Sequence, residues 1–198
     1  MDDRTTGPVA ELDRRFSSPD ATPAPWAAAR DLLATAKVYW LSTVRPDGRP
    51  HVTPIAAVWL DEAICFVTGR EERKAKNLAA NPRCAVTTGC KEFAGLDVVI
   101  EGEVVPVGDA ARLRRLADNF AAKYGGLFRF VVRDGALYQE GGEGAGLVYE
   151  VAQNAVFGFA KGETFGQTRW RFARPSRGAD GATAPAIGYD EEDACLDR

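Results

Sequence analysis

An antiparallel β-barrel with helices packed on its outside is the fold that the sequence predicts. Three observations carry this expectation. Between residues 38 and 172 most apolar residues fall in short runs of strand character, set apart by Pro, Gly, Asn and Asp turn signals. Only two stretches in that region have helical spacing, one after the third strand and one after the fifth. Finally, 198 residues with 45% apolar and 27% charged content suffice for one core and are too few for two ordinary domains.

Residues 1–25 mix charge with Pro, Ala, Ser and Thr without a sustained period, and read as a partly ordered arm. Pro25 suits the first position of a helix from Trp26 to Ala36. Val38 to Arg45 is a dense apolar strand, and Pro46-Asp47-Gly48 turns it into a second strand from Arg49 to Leu60. Asp61-Glu62 leads into a third, Ala63 to Thr68. Glu71 to Ala80 is then a short helix stopped by Asn81-Pro82, and Arg83 to Thr88 is a fourth strand. Along Leu96 to Val107, Val98, Ile100, Gly102 and Val104 alternate with Glu101 and Glu103, so one face is buried and one is wet. Asp109 caps a helix whose Leu113, Leu116, Phe120 and Tyr124 form a core stripe, leaving Arg112 on the exposed side, and Gly125-Gly126 ends it. Gly146 to Ala152, Ala155 to Ala160 and Thr168 to Phe172 complete the strands. The expected organisation is therefore an arm (1–25), one domain (26–172) and a polar tail (173–198).

The net charge of −3 supplies no general attraction to nucleic acid. No apolar run reaches membrane-spanning length, and no apolar segment follows the charged Met1-Asp2-Asp3-Arg4, so a cytoplasmic protein is expected. Cys65, Cys84, Cys90 and Cys195 lack CxxC spacing and His51 is the only histidine, which supports neither a metal site nor a disulfide framework. Cys65 and Cys84 sit in apolar runs and read as small buried hydrophobes.

The chemistry concentrates in Val67-Thr68-Gly69-Arg70-Glu71-Glu72-Arg73-Lys74-Ala75-Lys76-Asn77-Leu78. This segment sets a hydroxyl at a strand end and cations around the first helical turns. Cations there oppose the positive end of the helix dipole, and Glu71 and Glu72 offset them only in part. A bound phosphate would resolve the conflict, held by free N–H groups, the Thr68 hydroxyl, Arg73 and Lys74. A solvated basic helix face accounts for the same charges.

A strand ending in Thr, a five-residue step to Arg73-Lys74, then Asn77-Leu78 and Asn81-Pro82-Arg83 resembles the flavin phosphate motif of the pyridoxamine-phosphate-oxidase-like split barrels. The segment from Ser42 to Pro54 is also typical of that family, and the likeness is good from Trp26 to Val107. The resemblance implies a mainly β fold, a six-stranded antiparallel split β-barrel of the FMN-binding type. It implies that Thr53, Pro54, Ile55, Ala56 and Val58 line the flavin ring, that Val67 and Thr68 cradle ribityl and phosphate, and that Arg73 and Lys74 bind the phosphate. Lys76 and Asn77 fall near the same pocket, and Asp97 stands where a polar amide contact from a second subunit is usual. It further implies a homodimer with the cofactor in a groove between barrels, where Phe157, Phe159, Trp170 and Arg171 are candidates to cover the ring or the seam. Plain core packing is the other reading of those aromatics.

A late Arg-x-His substrate motif is absent because His51 lies far upstream, so vitamin B6 oxidation and haem chemistry are not expected. What remains is an oxidoreductase acting on a small molecule, with the hard chemistry in the cofactor. FMN is the first expectation and the deazaflavin coenzyme F420 the alternative. A non-catalytic flavin carrier or sensor is a further reading, because no acid, base or nucleophile stands out.

Overall fold

In the computed structural model of the chain, residues 7–89 and 92–172 are described; the tail expected over 173–198, Cys90 and Cys195 lie outside them. Among the described residues the elements run β1 (Val9–Leu12), α1 (Trp26–Thr35), β2 (Tyr39–Val44), β3 (Pro50–Ile55), β4 (Ala57–Leu60), β5 (Ala63–Gly69) and α2 (Arg73–Ala80). Then follow β6 (Arg83–Thr88), β7 (Gly95–Pro106), α3 (Ala110–Tyr124), β8 (Phe130–Arg133), β9 (Ala136–Gln139), β10 (Ala145–Lys161) and β11 (Gly166–Arg171). No helix among them is long and apolar enough to cross a membrane.

Every strand pairing is antiparallel. From β3 the ladder passes through β2, β6 and β7 to β10, which also pairs β5, and β5 pairs β4. Only Ala56 separates β3 from β4, so the sheet closes on itself. The ring comprises six stretches of chain: β2, β3 with β4, β5, β6, β7 and β10. This is the expected barrel. The sheet nonetheless has 11 strands, because β3 and β4 count separately and two additions lie outside the ring. One is β11, which pairs the second half of β10, together with β1, which extends β11 and so places Val9–Leu12 of the expected arm in the sheet. The other is the β8–β9 hairpin at the start of β10.

Two strands expected over 146–160 are one. The register of β10 against β7 shifts between Gln153 and Ala155, a bulge that bends the strand. Its first half consequently pairs β5 and its second half pairs β11.

Alternation along the strands builds two cores. Ile64 and Phe66 of β5 point into the barrel with Tyr39, Leu41, Val98 and Ile100, beneath Leu33 of α1. Cys65 of β5 and Val58 of β4 point outward and are buried by Leu113, Leu116 and Phe120 of α3. That helix is held by Asp109, whose carboxylate accepts the Arg112 N–H at 2.8 Å, and it ends at Gly125 with φ +61°. Arg112 is not on a free face: it bonds Asp61 at 2.8 Å and Glu150 as well. These ties, with Arg115 at 2.6 Å from Asp61, brace the β4–β5 turn, where Asp61 and Glu62 both take positive φ.

Candidate functional site

A cleft of about 690 Å³ opens outside the barrel where β3 passes into β4. Pro54, Ile55 and Ala56 form one wall. Ala56 lies outside both neighbouring ladders, which end at Ile55 and resume at Ala57. Phe120, Phe128, Phe130 and Leu137 form an apolar wall opposite, contributed by α3 and the β8–β9 hairpin. The floor is Val67 of β5 and Gly146 of β10, diagonal neighbours two residues out of register across that pair. A methyl group on Gly146 would come within 2.5 Å of a Val67 methyl, so the close approach of these strands requires glycine.

Polar groups collect at one end, where β5 turns into α2. The Thr68 hydroxyl and the Gly69 N–H donate to one oxygen of Glu72, at 3.1 and 2.7 Å, and Lys74 pairs with the other. Thr68 and Lys74 are buried, and all four residues line the cleft. Partial burial pushes the Glu72 carboxyl upward, but the bonds from Lys74, Gly69 and Thr68 outweigh it and hold the group below the usual carboxylate range. Although Glu72 is the N-cap of α2, its side chain makes no capping bond to the helix. A carboxylate therefore sits in a cradle of donors suited to an anion, with Arg73 beside it on the surface.

More positive charge stands behind this cradle. The His51 imidazole is pushed below its ordinary pKa by burial first, then by the charges of Arg45, Lys74 and Arg73. Its Nδ1 lies 3.4 Å from the Thr43 hydroxyl, which accepts the Asn77 amide at 2.9 Å. The buried Nε of Arg45 has no partner among the described residues.

The profile of the family described as pyridoxamine 5'-phosphate oxidase matches residues 25–156. The chain belongs to that family. It is 38% identical over 103 residues to a pyridoxine/pyridoxamine 5'-phosphate oxidase of Anaeromyxobacter dehalogenans (strain 2CP-C), an alignment covering 46% of this chain and 50% of that one. The match thus spans about half the length of this relative. Among solved structures, a conserved hypothetical protein of Mycobacterium tuberculosis shares the fold with a TM-score of 0.55 at 19% identity, over 84% of this chain and 98% of that one. A putative 5-nitroimidazole antibiotic resistance protein of Bacteroides thetaiotaomicron gives 0.56 at 15% identity, over 82% and 92%.

Of the residues the family motif singles out, Pro54, Ile55, Ala56, Val67, Thr68 and Lys74 meet in the cleft. Thr53 lies next to it on β3, and Arg73 is exposed at its rim without an ion-pair partner among the described residues. Lys76 does not line the cleft but pairs, at 2.9 Å, with Glu71, which does. Three others are enclosed within this chain. Val58 packs under α3, Asn77 is enclosed between α2 and β2, and Trp170 is in the barrel core with its indole N–H on the Ala24 carbonyl at 3.2 Å. None of the three lines the cleft. Asp97 also stands away from it, on β7, bonded to Lys161 of β10 at 2.5 Å.

The sequence reading missed Glu72 as an occupant of the cradle and the whole aromatic wall. The spacing of Thr68 to Glu72 carried no signal by itself. Asp134-Gly135 did carry one: Asp-Gly between alternating apolar residues marks a tight hairpin. Their φ values of +51° and +71° are those of such a turn.

Proposed function

We propose that this chain is an oxidoreductase that binds a phosphate-bearing flavin in the cleft, FMN first and the deazaflavin coenzyme F420 as the alternative. The observation that supports it is the Glu72 carboxylate acting as a stand-in anion on Thr68, Gly69 and Lys74 at the polar end of an apolar cleft. A cleft of about 690 Å³ is within the usual size for small-molecule sites. The residues fit the group: donors for a phosphate at one end, apolar walls for a ring system at the other.

When bound, a flavin supplies hydride or electron transfer to a small molecule. The chain's own part is orientation and exclusion of water. Thr68, Gly69, Lys74 and Arg73 would anchor the phosphate and so fix how far the ring reaches along the cleft. Pro54 to Ala56 would set the ring's plane, and the peptide of Ala56, outside both ladders, is the polar group of that wall. Phe120, Phe128 and Phe130 would keep that end dry.

We also propose that the protein acts as a homodimer. Trp40, Val44 and Val52 are exposed on the outer face of β2 and β3. Trp40 is the cross-strand partner of Pro54, so this apolar face is continuous with the cleft wall. A second copy seated there would cover both. A monomeric mass by light scattering in the presence of cofactor would overturn this.

The absorption spectrum and mass of the small molecule that co-purifies test the cofactor, since FMN and the deazaflavin differ in both. Steady electron transfer from an added donor to an acceptor separates an enzyme from a carrier. A protein that neither retains nor takes up either flavin would refute the proposal.

A further inference from the structure

Resting on the phosphate reading of the cleft, we propose that Glu72 is a built-in competitor for its anion cradle, so that a phosphate-bearing ligand enters by exchange with the Glu72 carboxylate. Three observations meet here. The carboxylate takes the donors that point into the polar end of the cleft: the Thr68 hydroxyl, the Gly69 N–H and the Lys74 ammonium. It does so by reaching back toward Gly69 although Glu72 is the N-cap residue, so the first N–H groups of α2 receive no side-chain cap from it. Arg73, next to it, has no ion-pair partner among the described residues. Together these are a cradle with its donors satisfied internally and a further set of donors held in reserve.

The exchange is favourable for one class of ligand. A carboxylate brings one negative charge and two oxygens. A phosphate monoester brings up to two charges and three acceptor oxygens, and can engage the cradle, the uncapped N–H groups and Arg73 at once. A neutral ligand, or one with a single weak anionic group, gains too little to displace Glu72. The residue would therefore set both the affinity for the phosphate and the requirement for it. About half of the Glu72 side chain is exposed, so a path outward exists. A methyl group at Gly69 would lie 3.3 Å from the carboxylate oxygen that Thr68 and Gly69 hold, so the docked carboxylate fits closely against the glycine.

The test compares wild type with Glu72→Gln and Glu72→Ala, using inorganic phosphate, FMN and riboflavin as probes at fixed ionic strength. Glu72→Gln retains an oxygen acceptor for Thr68 and Gly69 while removing the charge that competes. Glu72→Ala empties the cradle. Both should bind FMN and phosphate roughly tenfold more tightly, the change expected from one charge-assisted contact, with riboflavin affinity unchanged within about twofold. Thermal melts establish that each variant is folded, and one folded variant suffices. Should Arg73→Ala and Lys74→Ala weaken phosphate binding while both Glu72 variants bind no better than wild type, the competitor role is overturned and the cradle stands. Should phosphate and FMN bind to none of the five proteins, the cradle reading falls with it.

Discussion

Replacing Arg73 or Lys74 by alanine removes a cation from the polar end of the cleft with little else attached to it. Arg73 is exposed and unpaired among the described residues, so its loss should change the stability of the free protein by no more than about 0.5 kcal/mol. Relief of a cation at a helix N-terminus, worth about 0.3–1 kcal/mol, acts in the stabilising direction. Lys74 is buried and paired with a half-exposed Glu72, an interaction of at most about 1 kcal/mol, and that loss is set against the same dipole relief. Either variant should therefore melt within about 4 °C of wild type. Binding should respond far more. One charge-assisted hydrogen bond is worth about 1.5–3 kcal/mol, or roughly tenfold to a hundredfold in Kd. At a ligand concentration of about 100 Kd for wild type, ligand stabilisation is about 2.7 kcal/mol; it should fall to about 1.4 for a tenfold loss and about 0.4 for a hundredfold loss. Melting with and without FMN or the deazaflavin, together with fluorescence titration, reads both quantities. Arg112 is unsuitable as a control because it ties Asp61 to Glu150; Arg114, exposed on the same helix, serves instead. Equal affinities for wild type, Arg73→Ala and Lys74→Ala would mean that these cations form a solvated helix face and that the phosphate site is wrongly placed.

His51, the only histidine, gives one set of imidazole signals in an NMR titration. Burial and the charges of Arg45, Lys74 and Arg73 place its midpoint below the ordinary value of about 6.5. Its stabilising contribution is thus present above that value and is lost as the pH falls through the lower midpoint; saturating phosphate should raise the midpoint, and an unmoved one would contradict an anion beside these cations. Lys123 is pushed down to about 8 by burial and then by Lys37, so from pH 8 to 10 the unfolded chain binds more protons and stability rises with pH. Relative to Lys123→Met, wild type should gain on the order of 1 kcal/mol over that range once solvent screening at this half-buried site is allowed for; parallel curves would refute it. The comparison with a variant matters because the Cys65 and Cys84 thiols, pushed up to about 12 by burial, act in the opposite sense above pH 9. Gly158→Ala would set a methyl group 2.3 Å from the Trp170 ring and should cost about 1–3 kcal/mol, whereas Gly108→Ala, with open space around it, should be near neutral in the same melt.

The ring of the barrel was legible because each of its strands repeats with period two and ends in turn chemistry, signals that need no knowledge of partners. Where β3 becomes β4 the apolar run from Pro54 to Leu60 is unbroken, so nothing in it marks Ala56 as the point where the chain leaves one ladder and joins another. The bulge in β10 was hidden for the converse reason. Gln153 and Asn154 look like a turn, yet the backbone only bends there, because β7 runs alongside on both sides of the shift. Pairing partners decide both cases, and partners are not a local property.

The same distinction governs the site. Arg73 and Lys74 stood out, with Thr68 at the strand end before them, because cations there conflict with the helix dipole, and a conflict is visible in one sequence. Glu72 was read as easing that conflict from within the helix, since an acid in the first turn ordinarily does so. Its side chain instead turns back to Thr68 and Gly69, a choice made available by the sharp exit from β5 and the burial of Lys74. Val58, Asn77 and Trp170 lie off the cleft for a related reason: position along a motif gives the strand or helix, but only the packed fold says which face is occupied by α3, by β2 or by the barrel core. Motif residues at the ends of strands, where side chains leave the core, are therefore the ones that reached the cleft, and those inside elements did so only where the cleft wall was their outer face.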